Sequence, residues 1–275
     1  MQRFNRKLAQ YMEREPDDAE KYNSLISLTM REFKSKNFDF SWGRGRFLVD
    51  PPEKVEMTMA EKESYRGEII TALQELWDRT QHTVYMSAAY FVPGQGGLEH
   101  MLREEKSGVH MTIVTNSLAS TNAPTVYAKW EKYRRQLIES GADVYEFMLS
   151  AENLRGRIHD RERKQSAFSV MHSKTIVFDD DIAWIGSFNL DPRSAYYNTE
   201  NVAIFESREF AQKLRNMIVK DTITSWHVTL DNGAPRWTGW RTGDAAPKTY
   251  RSSPDTSVFR RIWKSICRLV PEKFV

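Results

Sequence analysis

The sequence predicts an α/β fold, an α-β-α sandwich around a mixed, largely parallel central sheet. Two features carry that prediction. Apolar stretches of strand length alternate with stretches of helical period from residue 43 to residue 240, the pattern of strands joined by crossover helices. No run reaches the ~18 apolar residues of a membrane-spanning helix, so the expectation is a chain that is soluble or lies on a membrane.

Residues 1–40 are charged and helix-prone but weakly periodic, and Pro16-Asp17-Asp18 breaks them in two. They are expected to be a linker or a pair of docking helices. Gly43 to Asp50 reads as a strand ended by Pro51-Pro52. Ile69, Ile70, Leu73, Leu76 and Trp77 mark one stripe of a helix over residues 65–80. A strand over residues 83–92 stops at Pro93-Gly94, and a short helix over 97–107 ends at Gly108. Residues 110–116 form a buried-type strand, 125–140 a long helix stopped by Gly141, and 142–148 the next strand.

Residues 151–166 are loop-like and strongly charged, with Arg155, Arg157, His159, Asp160, Arg161, Arg163 and Lys164. A solvated loop is the expectation, with a rim over the neighbouring site as the alternative. Two strands follow, over residues 168–178 and 182–189. Residues 200–205 are a further strand, and 208–225 a helix with Phe210, Leu214, Met217, Ile218 and Ile223 inward. Asn232-Gly233 is a strong hairpin signal between two short strands.

The chain thus divides into a helical extension (1–40), a main domain (41–240), a polar linker (241–257) and a terminal amphipathic helix (258–275). In that helix Val258, Phe259, Ile262, Trp263, Ile266, Leu269 and Val270 share one face. Arg260, Arg261, Lys264 and Arg268 share the other. Such a helix suits an anionic membrane surface or docking on its own domain.

Composition adds limits. Forty basic and thirty-seven acidic residues leave the chain nearly balanced, so any basic surface is local. A single cysteine, Cys267, excludes an internal disulfide and a cysteine-based zinc site. The N-terminus Met1-Gln2-Arg3-Phe4 shows no hydrophobic signal core.

The chemistry-bearing residues gather around the two strands at 168–189, joined by the turn Asp179-Asp180-Asp181. Residues two apart on a strand point the same way, so His172 and Lys174 share a face, as do Ser187 and Asn189. An imidazole can attack or carry a proton, while an ammonium, a hydroxyl and a carboxamide can hold an anion. That is a phosphate-handling site in outline.

The pattern His172-x-Lys174-x4-Asp179-x6-Gly186-Ser187-x-Asn189 resembles the HKD motif of the phospholipase D superfamily at every position. Glu200, within Asn198-Thr199-Glu200, stands where that family keeps a carboxylate that accepts a hydrogen bond from the histidine. Asp191-Pro192-Arg193-Ser194, Ala89-Tyr90-Phe91-Val92-Pro93 and Thr115-Asn116-Ser117-Leu118 resemble the cardiolipin synthase branch, most of all the C-terminal half of its C-type members. The similarity covers roughly residues 40–240.

The resemblance implies a phospholipase D-like sandwich and a two-step phosphatidyl transfer without metal or cofactor. One histidine attacks phosphorus and a second protonates the leaving oxygen. Lys174, Ser187 and Asn189 would hold the non-bridging oxygens. Asp179 counts among the motif residues, though its place in the turn suits ordering the hairpin better than touching substrate. Phospholipids, phosphatidylglycerol among them, would be the substrates, and the chain would sit peripherally on the cytoplasmic face of a bacterial inner membrane.

Near-neutral charge disfavours nucleic acid, which needs a continuous basic groove. The sequence departs from the two-motif cardiolipin synthases in carrying one HKD pattern. A second HKD half is therefore expected, from a missing N-terminal half or from a homodimer. Without it the chain would be an inactive half-domain.

Overall fold

The strand that follows His172 lies in the middle of a ten-stranded sheet. The computed structural model describes Ser27, Met30, Arg31 and residues 40–149, 171–241 and 244–275. Expectations for residues 1–39, for the charged loop 151–166 and for a strand start at 168–170 fall outside or almost outside that set. The chain separates into two units, Met1–Trp42 and Gly43–Val275; the second carries the fold described below.

In chain order its elements are β1 (Arg44–Val49), α1 (Met59–Ser64), α2 (Glu68–Arg79), β2 (Thr83–Ala88), α3 (Gly94–Lys106), β3 (His110–Asn116), α4 (Pro124–Ser140) and β4 (Asp143–Phe147). After residue 171 come β5 (Lys174–Phe178), β6 (Ile182–Gly186), α5 (Pro192–Tyr196), β7 (Asn201–Glu206), α6 (Arg208–Ile223), β8 (Ser225–Asp231), β9 (Ala234–Gly239), β10 (Lys248–Tyr250) and α7 (Val258–Cys267). The local signals are physical. Thr58 and Glu61 form a reciprocal capping box on α1, and Ser207 and Ser257 cap α6 and α7. Gly141, at φ 118°, ends α4 in a conformation that costs other residues dearly.

The strand order is β1-β7-β6-β5-β2-β3-β4-β8-β9-β10. The sheet is mixed, as expected, but it is not largely parallel. Among the described strands β2–β3 and β3–β4 are parallel, and the other seven pairings are antiparallel. Connection length explains the difference. The helices α3 and α4 return the chain to the starting end of the sheet, whereas the tight turns after β5 and β8 reverse it. In the β5–β6 turn Asp179 and Asp180 adopt φ of 49° and 58°, the left-handed conformations that a primed hairpin turn demands.

Two apolar layers make the sandwich. On one face Ile69, Leu76 and Trp77 of α2, Leu98 of α3 and Trp130 of α4 pack on Met86, Ile113, Ile176 and Trp184. On the other, Ala211, Leu214 and Ile218 of α6 pack on Val114, Val177 and Ala183. Met217 and Ile223, expected to point inward, are exposed, because the buried stripe of α6 follows residues 211, 214 and 218 and these two fall outside it.

The C-terminal segment also differs from expectation. Residues 248–250, within the expected linker, pair antiparallel with β9 as the tenth strand. The helix α7 docks against α4 with its basic side inward. Lys264 and Arg268 both reach Glu131, at 2.8 and 2.9 Å, and Arg260 Nε donates to the Leu118 carbonyl at 2.6 Å.

Candidate active site

The site is built where β5 begins and β6 ends. Lys174 is the first residue of β5, paired across to Ala88 of β2. His172 stands two residues before it, ahead of the strand, and is exposed. Backbone anchors hold this approach: Ala89 N–H donates to Ser173 O at 2.8 Å, and the Asn116 carboxamide donates to Met171 O at 2.8 Å. On the neighbouring strand β6 stops at Gly186, so Ser187 and Asn189 lie in the turn leading to α5 rather than on the strand. Gly186 is required by close approach, since a Cβ there would lie 2.1 Å from the Asn201 carbonyl oxygen.

His172 and Lys174, read from the sequence as sharing a face, lie in contact. The Lys174 ammonium lies 3.3 Å from Nε2 and 3.4 Å from Nδ1 of the imidazole. Near-equal distances put it across the ring rather than in line with one lone pair. The positive field of Lys174, and secondarily partial burial, hold the His172 pKa below its ordinary value. Burial likewise lowers Lys174, opposed by the fields of Glu200 and Asp191. The imidazole is thus kept neutral, with its nitrogen lone pair free of a proton, to lower pH than a free histidine. Lys174→Gln should therefore raise the His172 pKa toward that of an ordinary histidine, read from the ring proton shift by NMR. An unchanged or lower value would show that the ammonium is not the cause.

Glu200 is buried beside this pair but does not bond His172. The Ser187 hydroxyl donates to its Oε2, while Ser194 Oγ and Asn198 Nδ2 donate to Oε1 at 2.9 and 3.1 Å. The expected histidine–carboxylate bond is replaced here by a serine–carboxylate bond. The reason is local: β6 and β7 are adjacent, and Ser187 also accepts from Asn201 N–H at 3.0 Å. Asn189 is buried, its N–H donates to Ser194 Oγ at 3.1 Å, and its carboxamide oxygen has no partner among the described residues. A half-turn of that amide exchanges oxygen for NH2, so the position can serve either an acceptor or a donor.

Behind Glu200 lies a support that the sequence reading missed. Asp50 Oδ2 accepts from Glu200 N–H at 3.1 Å and from Lys54 Nζ at 2.6 Å, and Lys54 also donates to Ser194 O at 2.9 Å. Both ions are fully buried. Ser194 lies inside the Asp191-Pro192-Arg193-Ser194 stretch that the resemblance picked out; Asp50 and Lys54 carried no signal.

Asp179 sits at the opposite end of β5. Its two oxygens accept from the backbone N–H groups of Gln81, His82 and Thr83 at 2.8, 2.8 and 2.9 Å, tying the hairpin to the start of β2. The structure thus brings His172, Lys174, Ser187, Asn189 and Glu200 together and leaves Asp179 apart. Asp179→Asn should cost about 1–3 kcal/mol of stability by setting an amide NH2 against a backbone donor, measured by urea unfolding, with activity per folded molecule retained. A variant of unchanged stability and lost activity would instead place Asp179 in the chemistry.

Residues 73–222 match a family model described as cardiolipin synthase, PLD-like domain. The chain belongs to the phospholipase D superfamily. An uncharacterized protein of Helicobacter pylori strain 26695 is 32% identical over 259 residues, covering 94% of this chain and 49% of that protein. Cardiolipin synthase C of Escherichia coli K12 is 28% identical over 238 residues, covering 85% of this chain and 48% of that protein. The chain therefore spans about half the length of these curated relatives. The crystal structure of Nuc from Salmonella typhimurium, a phospholipase D family member, aligns with TM-score 0.49 at 15% identity, over 69% of this chain and all of that one.

Proposed function

We propose that this chain supplies one half of a phosphatidyl-transfer centre that forms cardiolipin by moving a phosphatidyl group onto a hydroxyl of phosphatidylglycerol. The observation that carries the proposal is an exposed imidazole, lowered in pKa, with an ammonium 3.3 Å away and a hydroxyl–carboxylate pair alongside. Family membership and similarity to a cardiolipin synthase of E. coli support it.

In this mechanism an unprotonated histidine attacks phosphorus, forming a P–N bond as the P–O bond to the leaving alcohol breaks. A second histidine donates its proton to that leaving oxygen. The acceptor hydroxyl then gives its proton to the second histidine and attacks phosphorus, breaking the P–N bond and restoring both imidazoles. His172 is one of the two. Lys174 and Asn189 hold the non-bridging oxygens as negative charge builds on them, and Ser187 joins them by turning its hydroxyl hydrogen from Glu200 to a phosphoryl oxygen. The chemistry passes through imidazoles alone and calls for no metal.

The second histidine comes from a second HKD half, in the same polypeptide or in a second copy. The twofold length of the relatives supports that reading. On this reading the protein acts peripherally at the cytoplasmic face of the membrane. Among the described residues no helix is long and apolar enough to cross one. The test is to incubate the protein with phosphatidylglycerol vesicles and, separately, with single-stranded DNA. Cardiolipin and free glycerol are the expected products. Cleaved DNA with untouched lipid would overturn the proposal.

A further inference from the structure

The helix α7 is mounted with its polarity reversed. Its cations are spent on the domain: Lys264 and Arg268 on Glu131, Arg260 on the carbonyls of Leu118 and Thr121, and Arg261 Nε on Thr256 Oγ1 at 2.9 Å. The apolar face is left outward. Phe259 is 77% exposed, Trp263 50%, Ile266 51% and Leu269 84%, with Val258 and Ile262 beside them. Soluble proteins seldom leave so continuous an apolar surface uncovered. Rolling the helix to bury it would break the Glu131 pairs and strip the partners from the two loop carbonyls.

We infer that this face is a bilayer-insertion surface that holds the His172 edge of the sheet against an anionic membrane. The inference rests on the lipid-transfer reading, and three observations favour a bilayer over a protein partner. Trp and Phe beside aliphatic residues on a mounted helix match a segment lying in the headgroup region. Cations border the face: Arg268, which shares Glu131, and Lys132, which lies 3.4 Å from Glu272, both keep more than half of their side chains exposed, Lys129 Nζ bonds the Arg268 carbonyl at 2.8 Å, and Lys273 lies in the turn Glu272–Phe274. They complement anionic headgroups. The mounting point also lies on the site's own edge. The loop that Arg260 grips follows β3, whose last residue, Asn116, bonds Met171 next to His172.

The test uses the full chain as His172→Ala, so that binding is read without chemistry. It is mixed with phosphatidylcholine vesicles, with and without phosphatidylglycerol, and sedimented. Binding should require the anionic lipid, and Phe259→Ser/Trp263→Ser should lower the partition coefficient by about tenfold or more. Both positions are exposed, so the fold should survive, checked by circular dichroism. A second readout uses brominated acyl chains, which should quench the parent's fluorescence more than that of Trp263→Phe. Vesicle binding that ignores both substitutions would overturn the inference. So would absent binding combined with a dimer that the double variant dissociates, since the face would then meet protein. Binding that depends on Phe259 and Trp263, with no cardiolipin formed by the parent even when a second HKD half is supplied, would uphold the surface and remove only the lipid-transfer reading.

Discussion

Replacing His172 with alanine is expected to lower phosphatidyl transfer by at least about 10²–10⁴-fold, the range for losing a proton-transfer group, and by more if His172 is the nucleophile. The imidazole is exposed, and its polar contact is with Lys174, so the unfolding midpoint should hardly move. A short reaction with a donor labelled in its phosphate separates the two roles. Acid-labile label recovered on the His172 peptide marks it as the attacking group. Label on the partner histidine marks His172 as the acid and base. A variant that keeps the parent rate would remove His172 from the chemistry altogether.

The largest loss of stability is expected at Arg134. Its guanidinium donates to Glu146 Oε1 at 2.6 Å, inside a site where the Glu146 side chain is wholly buried. Trp130 Nε1, Trp237 Nε1 and the Tyr127 hydroxyl donate to the same carboxylate at 3.1, 2.8 and 2.9 Å. Arg134→Ala leaves that charge uncompensated, and removing one partner of a buried pair typically costs about 3–5 kcal/mol. Urea unfolding measures it. Replacing both residues together with apolar side chains should cost less than removing the arginine alone. A loss below about 1 kcal/mol for Arg134→Ala, typical of an exposed pair, would mean that the network does not need its cation.

How the site arises separates two kinds of information. His172, Lys174, Gly186, Ser187 and Asn189 fall within one hairpin, and a hairpin is a local object. Two short strands and the acidic turn between them bring the start of β5 beside the end of β6, which is why the grouping is legible in the residues although Ser187 and Asn189 lie past the strand itself. The same holds for β3, α4 and the β8–β9 hairpin, where period and stop signals agree. Glu200 was legible as a companion but not in its bonding. Whether its carboxylate meets the imidazole or Ser187 depends on the offset of β7 against β6, a matter of register between strands.

The supports behind the site were not legible. Asp50 and Lys54 reach Glu200 and Ser194 from about 140–150 positions away, through the pairing of β1 with β7 that only the folded sheet creates. A buried Asp–Lys pair looks in sequence like any surface pair. The largely parallel sheet failed as an expectation for a related reason: strand lengths show that a sheet forms, while strand direction follows from what joins the strands.

The amphipathic face of the terminal helix divides the two most sharply. Periodicity alone determined that apolar and basic residues would lie on opposite sides of residues 258–270, because helical geometry converts spacing into faces. Which side meets the domain was decided only in three dimensions. Glu131 and the carbonyls of Leu118 and Thr121 offer charge and hydrogen bonds at the docking place, so the basic side turns inward and the apolar side is left to face outward.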